Sequence, residues 1–236
     1  MFDPDFLRFF EELAENNEKP WFDANKARYE RVVKRPFEAF VMAFQERLMR
    51  LAPGFPPRKA SELVFRIHRD VRFSKDKSPY KTHAAAYFAA AGKTSETAGF
   101  YMQFGKDETW FGGGVWNLDN NNLYTVRRHV VERGDELLAL AAEPEFTSLY
   151  GAIKGEKNKN VPKEFADAPE RFHELLKHKQ YLYWAVLPAQ ACLSPDILDA
   201  AENYFRVAEN PNRFFNTVLN PAHFRRKTAV DELLGD

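Results

Sequence analysis

A chain of 236 residues with 34 basic and 34 acidic side chains carries no net charge at pH 7. That balance excludes a whole-molecule field drawing it onto nucleic acid or an anionic membrane, and leaves electrostatic function to local patches. Hydrophobic content of 44% and charged content of 29% suit a globular chain with a core that needs no staples.

A single cysteine, Cys192, excludes an intramolecular disulfide and a cysteine-rich metal site. Its two readings are a small buried apolar residue, which ranks first, and a nucleophile. No apolar run reaches the length of a membrane span, and the first residues lack a basic-then-apolar signal pattern. The expectation is a cytoplasmic protein with no membrane partner.

Asp3-Pro4 reads as a helix start, with Phe6, Phe9, Phe10 and Leu13 at helical spacing until Asn16 and Asn17. A second helix begins near Trp21-Phe22 and meets a break or kink at Pro36. Phe37, Phe40, Val41, Phe44, Leu48 and Leu51 extend an amphipathic stripe to the turn at Ala52–Pro57. The period then changes. Leu63, Phe65, Ile67, Val71 and Phe73 alternate as a strand requires, with Arg69 on their face and Arg66, His68, Asp70 and Arg72 on the other.

Ala84–Ala91 reads as a strand, and the runs around Phe100–Phe104 and Trp110–Trp116 as a hairpin. Helices return at Asp119, with a second stripe after Gly134. A basic loop covers Lys154–Lys163, a short helix follows near Phe172, and a strand covers Tyr181–Leu187. Ser194-Pro195-Asp196 and Asn210-Pro211 read as two more helix starts. The tail from Ala222 carries Arg225, Arg226 and Lys227. The fold class is α+β: a single domain over 1–236 with a central, mainly antiparallel sheet packed by N- and C-terminal helices.

Residues 66–83, RIHRDVRFSKDKSPYKTH, hold the densest polar chemistry, with six basic against two acidic side chains. Arginines two apart on a strand can grip one multivalent anion, and Lys75, Lys77 and Lys81 follow on a loop that can fold back over them. The candidate ligand-binding residues are Arg66, Arg69, Arg72, Lys77, Tyr80 and Lys81. Asp70 and His68 are candidate proton-transfer groups, and flanking cations keep Asp70 ionised. The competing reading of Arg69 is a structural ion pair, and that of the whole stretch a solvated basic face.

Other patterns are weaker. His173 and His178 are five apart rather than the four that aligns two ligands on a helix, so no metal site is assigned. Ser74, His83 and Asp76 lack a nucleophile-elbow pattern. Gly112–Gly114 lacks the residues of a P-loop, and Asp119 would repel an anion at the following helix start. Trp21-Phe22 and Trp110-Phe111 can stack bases, but most aromatic residues must be core.

The motif at 66–83 resembles a family of bacterial and fungal proteins, domain of unknown function 2461. The landmarks that match in order are Asn17 with Trp21-Phe22 and Asn25-Lys26, the motif itself, Gly99-Phe100-Tyr101, Gly112-Gly113-Gly114-Val115-Trp116, and the Leu123–Arg127 helix. The likeness covers about 1–219, leaving 220–236 as a tail. The chain departs from the family pattern at Asn117-Leu118-Asp119, where proline is usual. The resemblance implies a shared scaffold and supplies no activity or cofactor.

Three functions follow. The first is a pocket for a small anionic ligand, with phosphorylation of that ligand and enzymatic chemistry both left open. The second is a nucleic-acid-binding module that adds the Lys154–Lys163 loop and the Arg225 tail. The third is a partner-interaction protein whose basic motif is an internal ion-pair network.

Overall fold

The Asp3 carboxylate accepts the Asp5 amide at 2.8 Å and starts α1 (Asp5–Glu15), which buries Phe6, Phe9, Phe10 and Leu13. The structure, a computed structural model, describes residues 2–52, 54–90, 92–93 and 96–219. The expected tail and the Ala91 end of the expected strand lie outside them.

Helix α2 (Lys19–Tyr29) does not break at Pro36. A π turn over Glu30–Lys34 carries it into α3 (Arg35–Leu51). The Arg35 amide bonds the Glu30 carbonyl, five residues back. That wider ring makes room for the proline, which has no N–H to give. The anticipated break is therefore a local widening.

After the short α4 (Ala60–Leu63), the expected strand over 63–73 does not form, and only isolated bridges at Val64 and His68 remain. Val64 bridges Ala86, and the Phe65 amide donates to the Ala85 carbonyl at 2.9 Å. The segment then leaves the sheet edge and pairs with its own return. Lys81 N donates to Ile67 O and Arg69 N to Pro79 O, both at 2.8 Å, and His68 bridges Tyr80. Beyond Arg69 the ladder stops. The Asp70 carboxylate takes the Arg72 amide at 3.3 Å, and Ser74 N turns back to Val71 O at 3.4 Å. An aspartate that bonds the backbone two residues on offers a turn where apolar alternation alone suggests a strand. Leu63 and Ile67 are buried as expected, but Phe73 is 95% exposed.

The sheet has four strands in the order β1-β2-β3-β4, all antiparallel: β1 (His83–Phe88), β2 (Gly99–Gly105), β3 (Glu108–Val115) and β4 (Tyr181–Pro188). Between β3 and β4 lie α5 (Asn120–Ala142), α6 (Pro144–Tyr150) and α7 (His173–Leu176). Asp119 caps α5 through the Asn122 amide at 2.7 Å, and a non-helical Arg133 kinks it beside Gly134.

Helix α8 (Ile197–Leu219) begins just after Ser194-Pro195-Asp196, as read. The second expected start, at Asn210-Pro211, is absent, because α8 runs straight through a buried Pro211. Tertiary bonds of the next residue offset that defect. The Asn212 amide oxygen accepts the Gly114 N–H at 2.9 Å and the Tyr183 hydroxyl at 2.6 Å, and its NH2 donates to Gly99 O at 3.1 Å. Gly114 sits at φ +104°, a conformation open to glycine, with the Tyr181 carbonyl where a Cβ would lie.

Period-two alternation divides the aromatics of each strand. Phe88, Phe100, Phe104 and Phe111 point to one face and pack on Phe44, Phe37 and Phe205 from the helices. A second cluster, around Val115, Tyr181, Phe172 and Phe214, fills one end with α5, α7 and the last turns of α8. The architecture is α+β, an antiparallel sheet packed by N- and C-terminal helices on one face.

Candidate functional site

The other face carries Ala85 and Tyr87 from β1, Tyr101 and Gln103 from β2, Trp110 and Gly112 from β3, and Trp184 and Val186 from β4, by the register of the ladders. None of these belongs to either core cluster. Tyr87, Tyr101, Trp110 and Trp184 are half-buried and Val186 is exposed. Trp110 and Trp184 stack with centroids 6.1 Å apart and planes 14° apart. Gly112 makes that possible. A Cβ there would stand 2.9 Å from the Tyr183 carbonyl and 3.1 Å from the Trp184 Cβ. At the β1 side, Phe65 extends the aromatic surface, 6.4 Å from Tyr101. The polar tips are turned inward: Tyr101 donates to Gln103 Oε1 at 2.7 Å, and Trp110 Nε1 to the Glu108 carboxylate.

Lysines rim this surface from both sheet edges. Lys81 Nζ and Lys93 Nζ lie 5.3 and 5.9 Å from the Phe65 ring centroid. Lys81 donates to Arg66 O at 3.0 Å, and Lys93 to Ser61 O at 2.7 Å and Val64 O at 2.6 Å. Across the sheet, Lys154 pairs with Leu182 beyond β4, stands 4.5 Å from the Trp184 ring and donates to Trp184 O at 3.0 Å. Among the described residues no carboxylate forms an ion pair with any of these lysines. Burial lowers the pKa of all three. Arg66 and Lys93 push Lys81 down further, while Glu62 partly offsets the effect at Lys93. Partly dehydrated ammonium groups served only by carbonyls and ring faces favour an incoming anion.

The 66–83 stretch separates into two parts. Lys81, near its end, reaches this rim, and Arg66, at its start, takes the Lys81 ammonium on its carbonyl and adds its charge beside it. The middle closes on itself. Arg69 pairs with Asp76 and donates to Ser78 O at 3.2 Å. Asp76 also takes the Ser78 hydroxyl at 2.7 Å and amide at 2.9 Å, and these bonds, then Arg69, hold its carboxyl well below the usual range. Arg72 grips Asp70 with two bonds, 3.0 and 2.7 Å, and holds it at about 2. A carboxyl at that value is ionised near neutrality but a weak base. Lys77 donates to Val71 O at 2.9 Å.

Arg69 thus stands at the rim of its own loop rather than among the apolar side chains expected around it. Asp70 and Arg72 do not share a strand face with Arg66 and His68, since no strand forms over this segment. Tyr80 is buried: its ring stacks on Phe22 at 4.1 Å, and its backbone exchanges two 3.0 Å bonds with the Asn17 side chain. His68 is exposed, 5.2 Å from the Tyr80 ring. The early landmarks Asn17 and Phe22 are therefore the clamp that docks the motif. Trp21 packs on Phe9 at 5.7 Å as part of the core, leaving Trp110 as the stacking candidate on the uncovered face.

Elsewhere, His83 lines a cavity of about 20 Å³ with Tyr29, Val33 and Phe37, room for about one water. Burial, then Lys81, pushes its imidazole down to about 4. Cys192 is buried and its thiol is pushed up to about 12, which removes nucleophilic character. Acids occupy the start of α5, where Glu96 takes the Asp119 amide at 3.1 Å. Among the described residues no group of three His, Cys, Asp or Glu side chains could hold a metal, and no helix is long and apolar enough to cross a membrane.

Phe65, Lys93, Tyr101 and Trp184 were not singled out as site residues by sequence. The signal was present as adjacent aromatic pairs, Tyr87-Phe88, Phe100-Tyr101, Trp110-Phe111 and Tyr183-Trp184. In each pair, alternation sends one ring to the core and the other to the opposite face.

The fold and this site define an α+β protein with one aromatic, lysine-rimmed sheet face that no helix of the described residues packs on. The family model described as "Conserved hypothetical protein (DUF2461)" matches residues 5–214, and the chain belongs to that family. Comparison with curated proteins and with solved structures gives no match.

Proposed function

We propose that the chain binds a small anionic, phosphate-bearing ligand at the β1 edge of the uncovered face, where Lys81 and Lys93 meet over Phe65 with Arg66 beside them. One observation carries this reading: these half-buried ammonium groups are bonded to main-chain carbonyls and to no carboxylate among the described residues. An anion there would replace lost hydration and relieve the repulsion among the cations.

The basic loop from Arg69 to Ser78 gives weaker support as a ligand cradle, because Arg69, Arg72 and Lys77 are spent on Asp76, Asp70 and carbonyls. Its role in this reading is to brace the edge that presents Arg66 and Lys81. Thermal unfolding with inorganic phosphate and pyrophosphate tests the proposal. The melting temperature of the wild type should rise, by an amount equivalent to about 2.7 kcal/mol at a hundredfold excess over Kd. The double variant Lys81→Met, Lys93→Met, which keeps the apolar stems, should show no rise. An equal rise in both proteins refutes the site.

A further inference from the structure

We infer that the uncovered face is a platform for single-stranded nucleic acid, with bases stacked on Trp184, Trp110 and Tyr101 and phosphates held at Lys154 on one edge and Lys81 and Lys93 on the other. The inference rests on the anion site proposed above and names its ligand class. Three features favour it.

The first is the kind of ring. The core face of β1 to β3 uses phenylalanine and that of β4 the fully buried Tyr181 and Tyr183, whereas this face carries half-buried Tyr and Trp, of which Tyr101 and Trp110 bond Gln103 and Glu108. Tyr101 and Trp110 are fixed at their edges, and Trp110 and Trp184 already stack ring on ring with Lys154 beside them, the arrangement a further planar base would extend. Base stacking needs a ring face and tolerates any base.

The second is the distribution of charge. Lys154 lies beside β4, whereas Lys81 and Lys93 lie beyond β1 at Phe65. Phe65 and Trp184 are four strand spacings apart, roughly 19 Å. A mononucleotide cannot reach both edges, and a strand crossing the sheet can. Of the acids nearby, Glu108 is engaged by the Trp110 indole and Glu62, which acts on Lys93, is paired with Arg58.

The third is relief. Ala85 and Gly112 put no bulk between the rings, so the surface is continuous from Phe65 to Trp184. A zero net charge overall makes the localisation meaningful, because attraction to a polyanion must come from this face rather than from the molecule as a whole.

The test is fluorescence anisotropy with a labelled oligothymidylate roughly ten nucleotides long, within the range of sheet-face readers, at low and moderate salt. Tryptophan emission is read in parallel, and pyrophosphate-induced thermal shift is measured on the same proteins. Binding that falls with salt and quenches tryptophan is expected, with Trp184→Ala and Lys154→Met each weakening it roughly tenfold or more. Those two variants should leave the pyrophosphate shift unchanged. Trp184→Phe, which keeps a ring in place, should retain most of the binding and serves if the alanine variant does not fold. A pyrophosphate shift without oligonucleotide binding overturns the inference and leaves the anion site standing. Absence of both overturns both. Oligonucleotide binding indifferent to Trp184 and Lys154 overturns the platform, as does a mononucleotide that binds as tightly as the strand.

Discussion

The two faces of the sheet are built from the same strands and divide their chemistry residue by residue. On one face Phe88, Phe100, Phe104 and Phe111 meet rings from α3 and α8, with no polar atom to satisfy. On the other, Tyr87, Tyr101, Trp110 and Trp184 keep polar tips, and among the described residues lysines rather than helix side chains lie against Phe65 and Trp184. A face needed only for stability can be all phenylalanine. In the proposed reading, the face that carries Tyr, Trp and partly dehydrated ammonium groups takes a planar or anionic ligand.

The sharpest way to break this contrast is to truncate one ring on each face. Phe111→Ala should cost about 3–5 kcal/mol in urea unfolding, the range for a fully buried ring, whereas Trp184→Ala should cost less than about 2 kcal/mol. Equal costs would mean that the second face is a core as well. The clamp joining α8 to both strands comes next. Asn212→Ala strands the Gly114 amide and Gly99 carbonyl and should cost about 1–3 kcal/mol.

Acid titration separates buried groups of opposite sign. His83 and His178, pushed down to about 4 chiefly by burial, stay neutral in the fold while the unfolded chain takes protons below about 6.5. Their stabilisation is present above that value and is lost as pH falls toward 4. Glu209, raised to about 7 by burial, acts in the opposite sense. Its folded form holds a proton that the unfolded chain releases, so it disfavours folding as pH rises from about 4.5 to 7. Glu209→Gln should therefore steepen the loss of stability between pH 7 and 4, measured by urea midpoints. His83→Gln with His178→Gln should flatten or reverse it. The smallest effect belongs to the loop tip. Phe73→Ser removes an exposed ring and should shift stability by no more than about 0.5 kcal/mol.

Much of the fold was legible because hydrophobic period is local. The helix stripes, the hairpin and the β4 strand all follow from spacing within a few residues. One failure is a place where a distant partner decides. Pro211 lies inside a helix because Asn212 is bonded to two strands about a hundred positions away, which no local rule contains. The strand expected through Arg69 fails for a local reason instead: Asp70 and Asp76 turn the chain onto itself within a few residues. For the site, sequence singled out the basic stretch but could not distribute it. Arg69, Arg72 and Lys77 are spent on the loop, whereas Lys81 joins Lys93 and Phe65, neither assigned to a site beforehand, at a sheet edge. Alternation in the aromatic pairs held the face assignment, but only the strand order puts those rings on one surface.

Isothermal titration with pyrophosphate on three proteins compares the two regions most directly: the wild type, Lys81→Met with Lys93→Met, and Arg72→Ala with Lys75→Ala. Binding lost in the first double variant and kept in the second is the predicted result. Binding kept in the first and lost in the second would put the anion on the loop and contradict the account.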